Sequence, residues 1–332
     1  MSSSALDQTA RPSDRNVEPL ALYRKMLLVR LCEETIRQEY FKDDMKTPVH
    51  MGIGSEAISV GVMAVLPKTA KAFGTYRNHA LYLTVTDDVD GFFAELYGRR
   101  AGPGKGKAGS MHLAFPERGL VATSAVVAST IPVAVGCAFA QAYQGSKDLT
   151  VSFFGDGAIE EGVFSESLNF ACLKRLPILF VCEDNGLAIH TPVNARQGYR
   201  SITGIANAYE CHTASGDGYD AVEVAALTKQ LLARMAEDGK PGFLHLKYFR
   251  FLEHVGPNED FKAGYRPKPS TEELASWDPI LRAEERLRQS GISDQEMLAI
   301  RKSLQERIDR SVAAAQAAPF ADHSELFTDV LL

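Results

Sequence analysis

Asp156 and Asn185 are two oxygen-bearing side chains spaced so that a folded chain can offer both to one ligand. Asp156 stands between glycines in Gly155-Asp156-Gly157, directly after the apolar run Thr150–Phe154. Asn185 stands in Glu183-Asp184-Asn185-Gly186, directly after a second apolar run, Pro177–Cys182. The first supplies a carboxylate oxygen and the second an amide oxygen. Mg²⁺ takes a few such ligands and shares its shell with substrate phosphates. The glycines admit a bulky group close to the backbone, and the start of the following helix offers N–H groups to an anion. A diphosphate held through Mg²⁺ satisfies all of these features.

The intervening residues must then position the pair. Thr150–Phe154 reads as a buried strand. Residues 160–173 read as a helix, with Val163, Phe164, Leu168, Ala171 and Cys172 in helical rhythm. Pro177–Cys182 reads as a second buried strand. Strand, helix and strand at this spacing form a βαβ unit with parallel neighbours. Asp156 and Asn185 then fall at adjacent carboxyl ends, where open parallel sheets bind ligands.

Other glycine patterns carry less. A second Gly-Asp-Gly at Gly216–Gly218 has no strand and Asn behind it, and reads as a turn before a helix over 221–236. Gly52-x-Gly54-x-x-Ala57 follows no strand and has no acid about 20 positions on, which excludes a dinucleotide fingerprint. Residues 102–112, GPGKGKAGSMH, are not a Walker loop; they read as a mobile cationic loop able to close over a nearby site.

The chain has 332 residues, 45% of them hydrophobic, enough for one large α/β domain with appendages. A net charge of −6 and a pI near 5.8 give no case for nucleic acid. Five cysteines without a CxxC pair point to core thiols, a cytoplasmic location and no zinc site. Residues 120–140 lack charge but are rich in Ala, Ser and Thr and contain Pro132; a buried loop entering a buried helix is expected there, not a membrane span. Further helices are expected over 20–41, 56–66 and 87–99, and strands over 205–213 and 243–250. The expected organisation is a flexible arm at 1–19, an α/β domain at 20–269 and a helical arm at 270–332.

Several separated stretches then carry one resemblance. They are His50 in PVHMGIGSEA, Thr75-Tyr76-Arg77-x-His79, the GKGKAGSMH loop, the Asp156–Asn185 unit, and Phe249-Arg250-Phe251-x-x-His254. In this order they resemble the alpha subunit of the decarboxylating component of 2-oxo acid dehydrogenase complexes, of pyruvate, branched-chain and acetoin type. The resemblance implies a thiamine diphosphate-binding fold, a parallel sheet with helices on both faces, and helical extensions at both ends. It implies that Asp156, Asn185 and the Leu187 carbonyl bind Mg²⁺, although Leu187 replaces a common Tyr. Tyr76, Arg77 and the turn Gly155, Asp156, Gly157, Ala158 would hold the diphosphate. Ala125 and Val127 would touch the aminopyrimidine, and His50 and His254 would serve as active-site histidines. Ser124, Ser129 and Thr130 match positions that bind a monovalent cation in some relatives.

The implied reaction decarboxylates a 2-oxo acid, or cleaves acetoin, through a carbanion of the coenzyme and passes the acyl group to a lipoyl-bearing acyltransferase. The family also needs a carboxylate from a second domain of the same type, which this chain is too short to hold. A separate beta subunit in an α2β2 assembly is therefore expected, with no membrane or nucleic-acid partner. Val255 replaces the Ser that follows the loop histidine in regulated relatives, so no kinase switch is expected there. His190 replaces a small residue and reads as a packed or solvated side chain. Two alternatives remain at this point: a subunit of a split transketolase, and a non-catalytic Mg-nucleotide-binding module.

Overall fold

The structure, a computed structural model, describes residues 17–328; residues 1–16 of the expected arm lie outside it. In chain order the strands are β1 (Lys71–Thr75), β2 (Leu120–Ser124), β3 (Thr150–Gly155), β4 (Ile178–Asp184), the two-residue β5 (Leu187–Ala188) and β6 (Thr191–Pro192), β7 (His212–Asp217) and β8 (Gly242–Lys247). The helices are α1 (Pro19–Glu39), α2 (Glu56–Val65), α3 (His79–Thr86), α4 (Val89–Leu96), α5 (Thr130–Tyr143), α6 (Gly162–Lys174), α7 (Ile202–Ala206), α8 (Ala221–Asp238), α9 (Thr271–Trp277), α10 (Pro279–Gln289) and α11 (Asp294–Ala317).

Six strands form one parallel sheet in the order β2-β1-β3-β4-β8-β7, and β5 and β6 form a small antiparallel hairpin. The chain leaves β1 toward β2 on one side and β3 on the other, so the order reverses between β1 and β3. That is the switch point at which such sheets open a crevice. In β3 and β4, Gly155 pairs with Glu183, which brings Asp156 and Asn185 out of the sheet side by side.

Alternation along the strands separates two cores. Val151, Phe153, Leu179, Val181, Leu244 and Leu246 point into a core shared with α1, α2, α4 and α8. Phe154, Ile178, Phe180, Cys182 and Phe243 point the other way, onto α5 and α6. Helices thus cover both faces, which is why the central strands read as unbroken apolar runs. Ile280, Leu287, Met297, Ile300, Ile308 and Val312, from the expected C-terminal arm, are buried in the first core. Arg30 ties that segment in: it pairs with Glu56 at 2.5 Å and reaches both oxygens of Asp278, the N-cap of α10, at 2.9 and 3.1 Å.

Three expectations are corrected. Residues 120–124 are edge strand β2 rather than loop; their β-branched Val121 and Thr123 suit an extended backbone. The strand expected over 205–213 is displaced to β7, because the Ser201 side chain accepts the Gly204 N–H and starts α7 instead. The glycine-rich 102–112 loop is anchored rather than mobile. It wraps the fully buried Glu95, whose carboxylate accepts the N–H groups of Gly104, Gly106, Ala108 and Gly109 at 2.8–3.1 Å. None of its residues lines the cavity described below. No helix among the described residues is long and apolar enough to cross a membrane, and all five cysteines are free.

Candidate active site

A cavity of about 290 Å³ opens at the switch point, at the carboxyl ends of β1, β3 and β4. Thr75, Tyr76 and Arg77 line it from β1, and the turn Gly155-Asp156-Gly157-Ala158 from β3. Asn185 and Leu187 follow β4, and His254 arrives on the loop after β8. Val127 lines the cavity with Ser124, Val126, Ala128 and Thr130, whereas Ala125 does not. Val126 and Val127 are 66% and 47% exposed, so neither is a core side chain. Ala128 beside them has φ +62°, in the left-handed region that costs a residue with a Cβ about 1–3 kcal/mol.

Asp156 is buried and its Oδ1 has no partner, while Oδ2 is paired with Arg196. Burial, followed by the charge of Asp184, pushes its carboxyl up to about 7; Arg196 and the Asn185 backbone N–H act against this. Asn185 is oriented at both ends: its Nδ2 donates to the Tyr248 hydroxyl at 3.1 Å, and its Oδ1 accepts the Leu187 N–H at 3.1 Å. Across the hairpin from Leu187 stands Pro192, which has no N–H to give the Leu187 carbonyl. An unshared carboxylate oxygen, a fixed amide oxygen and a backbone carbonyl are the hard donors Mg²⁺ takes, with room left for phosphate. The residues present fit the group. The glycine at 155 fits as well. A Cβ there would meet no protein atom closer than the Glu183 carbonyl at 4.0 Å, so packing alone does not demand it.

Arg77 organises the histidines. Its Nη1 donates to the Met51 carbonyl at 2.9 Å, and its Nη2 to the His254 carbonyl at 3.0 Å and to His254 Nδ1 at 3.1 Å. A guanidinium only donates, so Nδ1 accepts and Nε2 carries the His254 proton. His50 is buried one layer behind. Its ring lies 4.4 Å from Tyr76 and 5.1 Å from His254, and its Nδ1 has no partner. Burial and then the Arg77 charge lower His50 to about 3, and the same two causes lower His254 to about 4. Both imidazoles are therefore neutral near pH 7. We expect their ring-proton NMR signals in the unloaded protein to stay fixed from pH 8 down to about 5.5, where a free histidine is mostly charged. A midpoint near 6.5 for either would refute that neutral array.

Several cavity residues escaped the sequence reading. Glu183 is buried with Oε1 unpartnered, takes the Asn78 amide at 2.8 Å, and is pushed by burial up to about 7. It was hidden because it continues β4 instead of ending it. Ile189 has φ +57°, an outlier for a β-branched residue. Arg250 holds it there, donating from Nη1 to the Ile189 carbonyl at 3.0 Å and from Nη2 to Tyr265 at 2.8 Å and Asp260 at 3.2 Å. His190 is exposed at the rim, 4.5 Å from the Tyr265 ring and 6.3 Å from His254. Ser124 and Ser129 meet through their hydroxyls at 3.1 Å. Gly54, set aside as a dinucleotide glycine, has a packing reason. Its φ is +106°, and a Cβ would strike the Phe249 carbonyl at 2.2 Å.

Residues 23–324 match the family model described as dehydrogenase E1 component. The chain is 32% identical to the alpha subunit of acetoin:2,6-dichlorophenolindophenol oxidoreductase of Bacillus subtilis, over 94% of this chain and 92% of that one. It is 31% identical to the pyruvate dehydrogenase E1 component subunit alpha of Rhizobium meliloti, over 95% and 90%. The acetoin oxidoreductase alpha subunit of Cupriavidus necator is 30% identical, over 98% and 97%. The transketolase and nucleotide-module alternatives are thereby set aside. The chain belongs to the dehydrogenase E1 component family, an oxidoreductase family whose membership implies thiamine diphosphate as coenzyme.

Proposed function

We propose that this chain is the alpha subunit of a thiamine diphosphate-dependent 2-oxo acid or acetoin dehydrogenase, working in the cytoplasm with a separate beta subunit and a lipoyl-bearing acyltransferase. The observation that carries this reading is the buried, unshared Asp156 oxygen beside the fixed Asn185 amide at the β1/β3 switch point. Asp156, Asn185 and the Leu187 carbonyl hold Mg²⁺. Tyr76, Arg77 and the 155–158 turn hold the diphosphate, and Val127 supports the aminopyrimidine. When bound, the coenzyme would supply the electron sink that takes up the bonding pair left behind when a 2-oxo acid loses carbon dioxide.

The protein's part is to position, to hold protons and to exclude water. Arg77 fixes His254 with Nε2–H as donor, ready for an anionic oxygen of substrate or acceptor. His50 backs that ring and Tyr76, and acts by positioning them. Glu183 and Asn78 lock the ends of β4 and β1 together beneath the diphosphate turn.

Two features support a partner subunit. The cavity is bounded by the half-exposed Val126 and Val127. On α5 and α6, Val133, Phe139, Tyr143, Phe170 and Leu173 form an exposed apolar surface, with Phe139 stacked against Tyr143 and edge-on to Phe170. Patches of this kind mark association surfaces.

The reading is tested with the reconstituted alpha and beta chains, Mg²⁺ and the coenzyme. Dye reduction is measured with pyruvate, branched-chain 2-oxo acids, acetoin and ketose phosphates. Coenzyme-dependent reduction is expected with a 2-oxo acid or acetoin. Turnover confined to ketose phosphates would overturn it.

A further inference from the structure

His254 is carried by a short closed loop, residues 253–258, and the clasp of that loop is Glu253. The Glu253 N–H donates to the Asn258 carbonyl at 2.9 Å. Its side chain answers in the other direction: Oε1 accepts both the Asn258 N–H and the Asn258 Nδ2, each at 2.9 Å. Gly256 lies across the clasp with φ +116°, in the left-handed region. A Cβ there would meet Glu253 Oε1 at 2.3 Å, so the carboxylate and the glycine are fitted to each other.

The clasped loop is fastened to its surroundings at three points. The Gly256 N–H donates to the Val49 carbonyl at 2.8 Å, next to His50. Arg37 donates from Nε to the Pro257 carbonyl at 3.0 Å. Arg77 holds the His254 carbonyl and ring. These anchors fix the ends of bonds, but the path of the chain between them is left to the loop itself. Holding a reacting group to a fraction of an ångström takes a supporting layer of hydrogen bonds behind it. Glu253 supplies that layer from the residue next to the imidazole. Charge is not its means. His254 is lowered by burial and then by Arg77, Arg250 and His190, with no part for Glu253, and Glu253 Oε1 is spent on two neutral donors.

We propose that Glu253 is a positioning residue for His254: by clasping residues 253–258 through Asn258, it sets where the imidazole stands at the cavity, through shape rather than charge. The inference rests on the reading of His254 as an active-site imidazole. Glu253 does not line the cavity, so its removal acts on the chemical step and not on coenzyme uptake. A Gln side chain offers Asn258 the same acceptor oxygen, so Glu253→Gln keeps the clasp. Glu253→Ala deletes it. Asn258→Ala removes the Nδ2 contact and keeps the two backbone contacts, so its effect is milder.

The test uses the complete alpha–beta assembly loaded with thiamine diphosphate and Mg²⁺. Glu253→Ala is expected to lower kcat about tenfold, the mark of a slightly misplaced reacting group, and to leave substrate KM and coenzyme Kd within about twofold of wild type. Glu253→Gln is expected to keep kcat within about twofold, and Asn258→Ala to lose about threefold. Hydrogen exchange over residues 253–258, read by mass spectrometry in the same assemblies, should quicken in Glu253→Ala and Asn258→Ala and stay slow in Glu253→Gln. Thermal unfolding and sedimentation establish which variants fold and assemble; should Glu253→Ala fail there, Asn258→Ala carries the test. Wild-type kcat and exchange in the alanine variants would overturn the proposal. So would an equal loss in Glu253→Gln, which marks a carboxylate acting by charge, or a loss confined to KM or coenzyme Kd. Absence of coenzyme-dependent turnover in the wild type would instead remove the reading of the site itself.

Discussion

Asp156→Asn lowers coenzyme-dependent turnover of the reconstituted enzyme by roughly a hundredfold or more, the upper end of what is lost when even an outer partner of a bound metal is removed. The substitution keeps size and shape but removes the charge, so the change is electrostatic. Asp156 Oδ1 has no partner in the protein, and Oδ2 has only Arg196, which keeps its second carboxylate, Glu160, when the charge at 156 is removed. Burial and the neighbouring Asp184 make its ionised form costly, and Arg196 offsets this only in part. The loss should therefore appear in coenzyme and Mg²⁺ affinity, while the far-ultraviolet circular dichroism and unfolding midpoint stay near those of the wild type. Titration calorimetry and steady-state kinetics check this together. Turnover within a few-fold of wild type would sink the metal assignment.

Val133→Asp prevents assembly with the partner subunit, and activity is lost with it. Val133 is exposed in the first turn of α5, where a carboxylate suits the helix dipole, so the fold itself should be unharmed. Along the same face lie Gly136, where an added Cβ would meet nothing within 4 Å, and the exposed Tyr143. A partner covering this face would bury the new carboxylate without a counterion. Such an uncompensated charge costs about 3–5 kcal/mol, roughly a hundredfold or more in Kd. Sedimentation velocity of the mixed subunits reads the loss of the complex, and the variant alone should unfold at the wild-type temperature. Assembly at wild-type concentration would place the beta subunit on another face.

The βαβ unit was legible because its signals were local. β3 and β4 are continuous apolar runs, and they are buried on both faces. Gly155 and Asp156 break the first run, and Asn185 follows the second, so chemistry and architecture were written in the same residues. Edge elements were less legible, because edge strand β2 and helix α7 owe their form to one neighbour or one cap rather than to a core. Residues 102–112 were misjudged because glycine content tells of permissible conformations, not of a carboxylate such as Glu95 lying far enough back in sequence to be overlooked. Arg196 was invisible for the same reason. Its partner, Asp156, lies 40 positions away, and the short turn after an exposed hairpin carries no periodicity to announce that one side chain turns inward.

The bridge between His50 and Gly256, where the Gly256 N–H meets the Val49 carbonyl at 2.8 Å, has a consequence for biosynthesis. The two imidazoles belong to stretches that leave the ribosome far apart in time. The strands that carry Asp156 and Asn185 emerge before the loop that brings His254. The cavity at the carboxyl ends of β1, β3 and β4 is therefore completed only when Tyr248, Arg250 and His254, which also line it, have followed those strands out of the ribosome.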